Sequence, residues 1–140
     1  MSAAQTDPDR PDPIMSLDGA FFWKAAEEGR FVAQKCCGCG ALLHPPRSIC
    51  PNCLCFEQAE QELSGRGTVM SWVMPIHPPA RGFETPPIVV LIEVEEGLRF
   101  VSNVVGVAPE DMKIGMKVKV GFAKTQGGKA APIFHADLEG

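Results

Sequence analysis

The feature that most constrains this fold is a set of four cysteines arranged as two C-x2-C pairs, Cys36 with Cys39 and Cys50 with Cys53. A two-residue spacer forms a tight turn that directs both sulfurs toward one point, so the two pairs can converge on a single tetrahedral ion. Four thiolates fill a tetrahedron and leave no position for water or substrate. The pattern therefore predicts a structural zinc site.

The alternative is a pair of disulfides, which requires an oxidising compartment. The first thirty residues show no basic start followed by an apolar core, only an acidic, proline-rich stretch at 7–13, so a secretory signal is not indicated. We expect reduced thiolates in the cytoplasm, which suit zinc better. Cys37 and Cys55 are left over, because a one-residue spacer suits one shared ion less well. We interpret them as small, partly buried apolar residues.

Charge is distributed unevenly along the chain. The formal net charge is −4, yet residues 30–56 carry three basic groups, Arg30, Lys35 and Arg47, and no acidic one. These cations either form an anion site or offset the negative charge of a zinc tetrathiolate, and compensation is the favoured interpretation. A nucleic-acid binder usually shows a broad basic stripe with aromatic residues between the charges. The acidic remainder of the chain disfavours that class, and no apolar run is long enough to span a membrane.

The N-terminal region is predicted to be a flexible arm over residues 1–15 followed by a helix within residues 16–29. Asp18 is the expected N-cap, and Leu17 and Phe22 form a possible hydrophobic staple across it. Gly29 is expected to end the helix.

Three consecutive aromatic residues on this helix, Phe21, Phe22 and Trp23, fan over roughly 200° of its surface at about 100° per residue. One small core cannot easily bury all three. Either two pack inside and one is half exposed, or the helix docks on another protein through this cluster. The sequence leaves both interpretations open.

The remainder is predicted to be a zinc ribbon over residues 30–58 and a β domain over residues 59–138. The ribbon begins with a short strand at 30–35, and its small core of Leu42, Leu43 and Ile49 buries too little surface to fold without metal. The β domain has five strand-like runs and a single helical turn at 109–113, which favours a closed five-stranded barrel of the OB type over an open sandwich. The runs are Gly67–Ile76, Ile88–Glu95, Leu98–Val105, Met116–Ala123 and Ala131–Ala136.

The longest irregular stretch, residues 75–87, joins the first two barrel strands and contains five prolines. It exceeds what a hairpin needs, so it is the best loop candidate for contacting a ligand. Arg81 would suit a phosphate group and Phe83 an apolar tail. No nucleophile elbow, dinucleotide-binding glycine motif or phosphate loop is present, and no partnered nucleophile can be assigned to any of the three histidines. The chain alone does not look like an enzyme.

Several segments together resemble the proteins that join a rubredoxin-like zinc ribbon to an OB-fold domain. The likeness covers residues 16–136, in the order helix, ribbon, barrel. It is carried by Q-K-C-C-G-C-G at 34–40, P-P-R-S-I-C-P-N-C at 45–53, E-L-S-G-R-G-T-V at 62–69, P-P-I-V-V-L-I-E-V at 86–94, E-E-G-L-R at 95–99 and P-E-D-M-K-I-G-M-K-V at 109–118.

This resemblance implies a mainly β fold and a non-catalytic accessory subunit of a thiolase-superfamily acyl-CoA enzyme, such as a thiolase, an acyltransferase or a side-chain-cleaving aldolase. The partner would supply the catalytic groups, with acyl-CoA as the ligand. Arg47, Arg81 and Phe83 are the candidate ligand contacts, and Phe21, Phe22 and Trp23 are the candidate docking residues. The alternatives are a partner of an acyl-CoA hydratase, a nucleic-acid-binding ribbon and barrel, and an independent acyl-CoA carrier or hydrolase.

Overall fold

The computed structural model describes residues 9–138, and in this range one helix precedes two β-sheets. The elements are α1 Ala20–Glu27, β1 Val32–Cys36, β2 Leu42–Leu43, β3 Gln58–Glu62, β4 Arg66–Val73, β5 Ile88–Val94, β6 Arg99–Val104, a 3₁₀ turn Pro109–Asp111, β7 Lys117–Lys124 and β8 Ala130–Ala136. The expected mainly β architecture of helix, ribbon and closed five-stranded barrel is confirmed.

The helix begins differently from the prediction. Gly19 occupies the N-cap position, and its backbone N–H donates to the Ser16 hydroxyl at 3.0 Å, so Asp18 is not the cap. Leu17 is 96% exposed, so the staple with Phe22 does not form. Gly29 does end the helix, because its φ of +77° is one that only glycine adopts without strain.

The zinc ribbon is a three-stranded sheet in the order β2-β1-β3. β3 was not predicted, and it pairs with β1 along its whole length from Val32–Glu62 to Cys36–Gln58. The ribbon sheet therefore extends past the expected boundary at residue 58. Leu43 packs with the buried Cys36 and Cys50. Ile49 is 39% exposed and does not belong to this core.

The barrel closes in the order β4-β5-β6-β8-β7, with β7 returning to pair with β4. Alternation along β5 buries Ile88, Val90, Ile92 and Val94, as a two-residue period requires. The β5–β6 turn places Gly97 at φ +92°, and the predicted helical turn is the 3₁₀ turn. β4 ends at Val73, earlier than expected, just before the proline-rich loop.

Part of the expected flexible arm contacts the barrel. Arg10 is 7% exposed, and its Nη1 donates to Asn103 Oδ1 at 3.0 Å. The Asp12 carboxylate accepts from the Thr125 hydroxyl and from the Gly127 N–H, and these hydrogen bonds lower the pKa of Asp12. The chain from Asp9 to Asp12 therefore lies against the barrel, while residues 1–8 of the arm fall outside the described range.

Candidate metal centre and ligand-facing surfaces

The sulfurs of the four predicted ligands come together at one point. The ligand atoms of Cys36, Cys39, Cys50 and Cys53 all lie within 4.8 Å of one another. The Cys36–Cys53 sulfurs are 3.5 Å apart, and the Cys39–Cys50 sulfurs are 3.7 Å apart. Thiolates bound at zinc in a tetrahedron are separated by about 3.8 Å. The four cysteines therefore fit a structural zinc ion.

Two similar turns hold these sulfurs in place. In the first, the Gly40 N–H donates to the Cys36 carbonyl at 2.9 Å, and the Gly38 N–H points to the Cys36 sulfur at 3.3 Å. In the second, the Leu54 N–H donates to the Cys50 carbonyl at 2.9 Å, and the Asn52 N–H lies 3.4 Å from the Cys50 sulfur. Backbone N–H groups directed at sulfur stabilise the thiolate that a metal requires.

The surroundings shift the pKa values of two of these thiols in opposite directions. The Cys39 N–H, followed by other donors, lowers the pKa of Cys36 to about 6. At Cys53 the Cys55 N–H lowers the pKa, but the hydrogen bond to the Cys36 sulfur and burial outweigh it and raise the pKa to about 12. The Cys36 and Cys53 sulfurs are 3.5 Å apart, and either one can donate a hydrogen bond to the other. Binding a metal displaces the thiol protons, so zinc affinity must rise with pH.

The two remaining cysteines differ from each other. Cys55 is partly buried and packs against the cysteine cluster, as expected of a small apolar residue. Cys37 is exposed, which the sequence interpretation did not anticipate. Cys37 follows the last residue of β1 and lies in the turn between Cys36 and Cys39, where its side chain is open to solvent.

A buried glutamine fixes the segment that joins the two cysteine turns. Gln34 is 2% exposed, and its amide makes two hydrogen bonds of 2.7 Å with the backbone N–H and carbonyl of Arg47. Gln34 Nε2 also donates to Gln58 Oε1 at 2.7 Å. Arg47, predicted as a ligand contact, is itself exposed. Sequence reasoning missed Gln34, whose amide supports the backbone rather than a ligand.

The three helix aromatics occupy different environments. Phe22 packs against the barrel core, with ring centroids 6.3 Å from Phe31 and 6.4 Å from Phe100. Trp23 makes an edge contact with Phe22 at 5.0 Å. Phe21 lines a shallow depression between α1 and the ribbon that also contains Arg47 and the 73% exposed Phe56. Two predicted residues, Phe21 and Arg47, therefore share one surface.

A cavity of about 270 Å³ lies where helix, ribbon and barrel meet. His44 lines it, with its ring centroid 3.9 Å from that of Phe100 and 5.6 Å from that of Phe22. Burial lowers the pKa of His44 to about 4, so the imidazole is neutral at pH 7. The contact of His44 with these aromatic rings was not foreseen from the sequence.

The proline-rich loop contacts the arm described above. The Arg10 guanidinium lies 5.0 Å above the centroid of Phe83, a cation–π contact. Phe83 also lines an apolar cleft with Met74 at the end of the barrel. Arg81 is exposed and lines a separate depression beside Asp12. The loop thus presents Phe83 and Arg81 to two different surface depressions.

Comparison with known proteins agrees with this architecture. Residues 23–54 match the family model described as "ChsH2, rubredoxin-like zinc ribbon domain", and residues 60–123 match "ChsH2, C-terminal OB-fold domain". The chain is 36% identical over 102 residues to a "DUF35 domain-containing scaffold protein" of Pyrococcus furiosus, covering 71% of this chain and 74% of that protein. The chain belongs to the DUF35 family.

Two further relatives of this DUF35 chain are informative. It is 40% identical over 125 residues to the "Probable enoyl-CoA hydratase alpha subunit" of Thermomonospora curvata, covering 89% of this chain but only 39% of that protein. A solved structure, "Ltp2-ChsH2(DUF35) aldolase", aligns with a TM-score of 0.85 at 38% identity, covering 89% of this chain and 98% of that one. Within residues 9–138, no helix combines the length and the hydropathy needed to cross a bilayer.

Proposed function

We propose that this DUF35 chain is a non-catalytic accessory subunit of a cytoplasmic enzyme complex that acts on acyl-CoA, with a thiolase-superfamily enzyme or aldolase as its partner. The observation that carries the proposal is the agreement in fold and 38% identity with the DUF35 chain of the Ltp2-ChsH2 aldolase structure. The scaffold description of the Pyrococcus furiosus relative supports a non-catalytic role.

The chemistry of the metal centre is consistent with this role. Four cysteine sulfurs complete the coordination of zinc and leave no open position for water or a thioester carbonyl. The zinc then contributes folding free energy to the ribbon rather than a reactive group. Catalytic groups would come from the partner.

The depression between α1 and the ribbon is the docking surface that we propose. Phe56 is 73% exposed and Leu54 is 70% exposed on the adjoining turn, so this end of the ribbon presents apolar surface to solvent. Phe21 and Arg47 border the same depression, and aromatic and arginine side chains are enriched at protein interfaces. Phe22 holds the helix on the barrel, and Trp23 adds its edge contact to that packing.

The ligand contacts proposed for Arg81 and Phe83 belong to the proline-rich loop. Arg81 is exposed and would pair with a phosphate of CoA, while Phe83 borders the apolar cleft at the barrel end. In this proposal the loop lies beside the thioester's path into the partner's active site.

The first test compares binding and turnover. On its own, the purified, zinc-loaded chain should not cleave, condense or hydrate an acyl-CoA thioester. A mixture of the chain and its partner should turn the thioester over. Phe56→Ala should weaken partner binding by about 2 kcal/mol if it is a buried anchor, and Ile114→Ala, on a different exposed loop, should not. Thioester turnover by the isolated chain would contradict the proposal.

A partner of the acyl-CoA hydratase class is the second candidate. The 40% identical hydratase alpha subunit favours it, and in that protein the matched region is 39% of the whole. The two candidates are separated by the product: a hydratase complex adds water to an enoyl-CoA, whereas a thiolase or aldolase complex forms or breaks a carbon–carbon bond.

A further inference from the structure

The cavity between helix, ribbon and barrel lies at a gap in the barrel wall. β6 and β8 are paired only at Val104 and Phe134, whereas β5 and β6 are paired continuously from Ile88–Val104 to Glu93–Arg99. From Arg99 to Asn103, the edge of β6 that faces β8 therefore has no ladder partner among the described strands, although the opposite edge pairs with β5. Side chains of α1 and the ribbon cover this gap and enclose the cavity of about 270 Å³.

The lining of this cavity is apolar and aromatic. Phe22, Trp23, Phe100, Val101 and Pro132 contribute most of its character. Among the described residues, no aspartate, glutamate, lysine or arginine side chain lines it. A charged ligand would lose hydration there without gaining a counter-ion, so the cavity selects against charge. Its volume lies just below the usual range for ligand pockets, so it suits a ring or a branched alkyl group rather than a whole coenzyme.

Three polar side chains interrupt this lining, those of Ser16, Ser102 and His44. The Ser16 hydroxyl accepts from the Gly19 N–H and the Ser102 hydroxyl donates to the Pro132 carbonyl, so both have partners within the chain. The Nδ1 atom of His44 is buried and has no hydrogen-bond partner within the described part of the chain. Native proteins pair nearly all such atoms, so an unpaired one calls for a partner that is absent from the chain itself. Because the imidazole is neutral, one ring nitrogen accepts a hydrogen bond rather than donating one.

We propose that this cavity binds a neutral apolar molecule or moiety with a ring or branched-alkyl body and one hydroxyl or N–H group, which donates a hydrogen bond to His44. Phe22 and Phe100, which flank the imidazole, would contact the body of the ligand. The ligand is either free or the apolar end of a thioester. The inference goes beyond the proposed accessory function and does not depend on it.

The test uses 1-naphthol and 1-methoxynaphthalene, which share a ring system and differ in the O–H donor. Each is titrated into the zinc-loaded full chain, and binding is followed by NMR through the indole N–H signal of Trp23, a lining residue. Saturable shifts are expected for both probes, with 1-naphthol bound about 2- to 10-fold more tightly because of one hydrogen bond. No saturable shift at Trp23, or equal affinities, would overturn the proposal.

Three variants locate the site. Val101 is 73% exposed at the rim, so Val101→Trp should obstruct the cavity without disturbing the core, and Val101→Ala is its control. Binding should fall at least about tenfold in Val101→Trp and persist in Val101→Ala. His44→Phe should retain 1-methoxynaphthalene binding and remove the preference for 1-naphthol. Unchanged binding in Val101→Trp would place the probe elsewhere and contradict the inference.

Two further arms identify the source of the ligand. A hydroxynaphthoyl-CoA thioester that shifts the Trp23 signal would show that a thioester-linked moiety enters, whereas a response to 1-naphthol alone would indicate a free molecule. Both results support a ligand with an apolar body and one hydrogen-bond donor. If the isolated partner complex no longer binds 1-naphthol because a partner side chain fills the cavity, the small-molecule proposal is wrong, although the accessory function would stand.

Discussion

The imidazole of His44 stacks on the ring of Phe100 with their centroids 3.9 Å apart, and this contact joins the zinc ribbon to the barrel. Burial holds the pKa of His44 at about 4, below its ordinary 6.5. As pH falls below 6.5, the His44 imidazole becomes protonated in the unfolded chain, whereas in the folded chain it stays neutral until about pH 4. Stability should therefore decrease across this window, by about 1–2 kcal/mol after allowance for partial exposure.

Urea unfolding of the zinc-loaded chain at several pH values between 7 and 4 would measure this decrease. The cysteines also respond to acid, so the matched control is His44→Phe, which keeps the stacking and the thiols but cannot titrate. The wild-type chain should lose more stability than this variant as pH falls. Parallel curves for the two proteins would show that His44 does not contribute.

Replacing one buried zinc ligand should remove the metal and unfold the ribbon. Cys50 is fully buried, so Cys50→Ser is expected to lose bound zinc and the protection of β1–β3 amides, since the small ribbon depends on the ion for its folding free energy. Elemental analysis and hydrogen exchange would report both effects. Cys37→Ser, beside a ligand but exposed, is the control and should retain one zinc per chain. Equal zinc contents would refute the ligand assignment.

Gln34→Ala should destabilise the ribbon although it removes no metal ligand. The substitution leaves the backbone N–H and carbonyl of Arg47 without the two 2.7 Å hydrogen bonds that now satisfy them. The expected loss is about 1–3 kcal/mol, measured by denaturant unfolding. Gln61→Ala on the adjacent β3, where the amide bonds only the neighbouring carbonyl, should have little effect. A loss that is the same for both variants would argue against a special role for Gln34.

The two neighbouring helix aromatics should respond differently to truncation. Phe22 contacts Phe31, Phe100 and the barrel core, so Phe22→Ala is expected to lower the free energy of unfolding by about 2–3 kcal/mol. Phe21 faces the ribbon depression, and Phe21→Ala should change stability by less than about 1 kcal/mol. Thermal unfolding of the purified variants distinguishes them. The reverse order would mean that Phe21, not Phe22, anchors the helix.

Sequence alone predicted the elements whose signals are local. The cysteine spacing predicted which four sulfurs come together, because a C-x2-C turn brings its two sulfurs close wherever it occurs. The alternation of apolar and polar residues along β7 and the apolar run along β5 located barrel strands, because these patterns are also local. Gly29 marked the helix end because glycine, which has no Cβ, adopts the positive φ of this position without strain.

Features that depend on distant contacts were missed or misplaced. β3 is polar except for Ala59, with the sequence Gln-Ala-Glu-Gln-Glu, and it forms because β1 supplies its backbone hydrogen bonds. Asp18 looked like a cap, yet the chain direction set by the Ser16–Gly19 hydrogen bond places Gly19 there. The stacking of His44 on Phe100 joins residues far apart in sequence, which no periodicity reveals.

The central claim, that this DUF35 chain works as a subunit of an acyl-CoA enzyme complex, is tested most directly by isolating it at its native expression level and weighing the intact assembly. The account predicts a complex containing a thiolase-superfamily enzyme, an aldolase or an acyl-CoA hydratase, identified by mass spectrometry and dissociated by zinc removal. A zinc-loaded chain recovered alone, with no acyl-CoA enzyme attached, would contradict it.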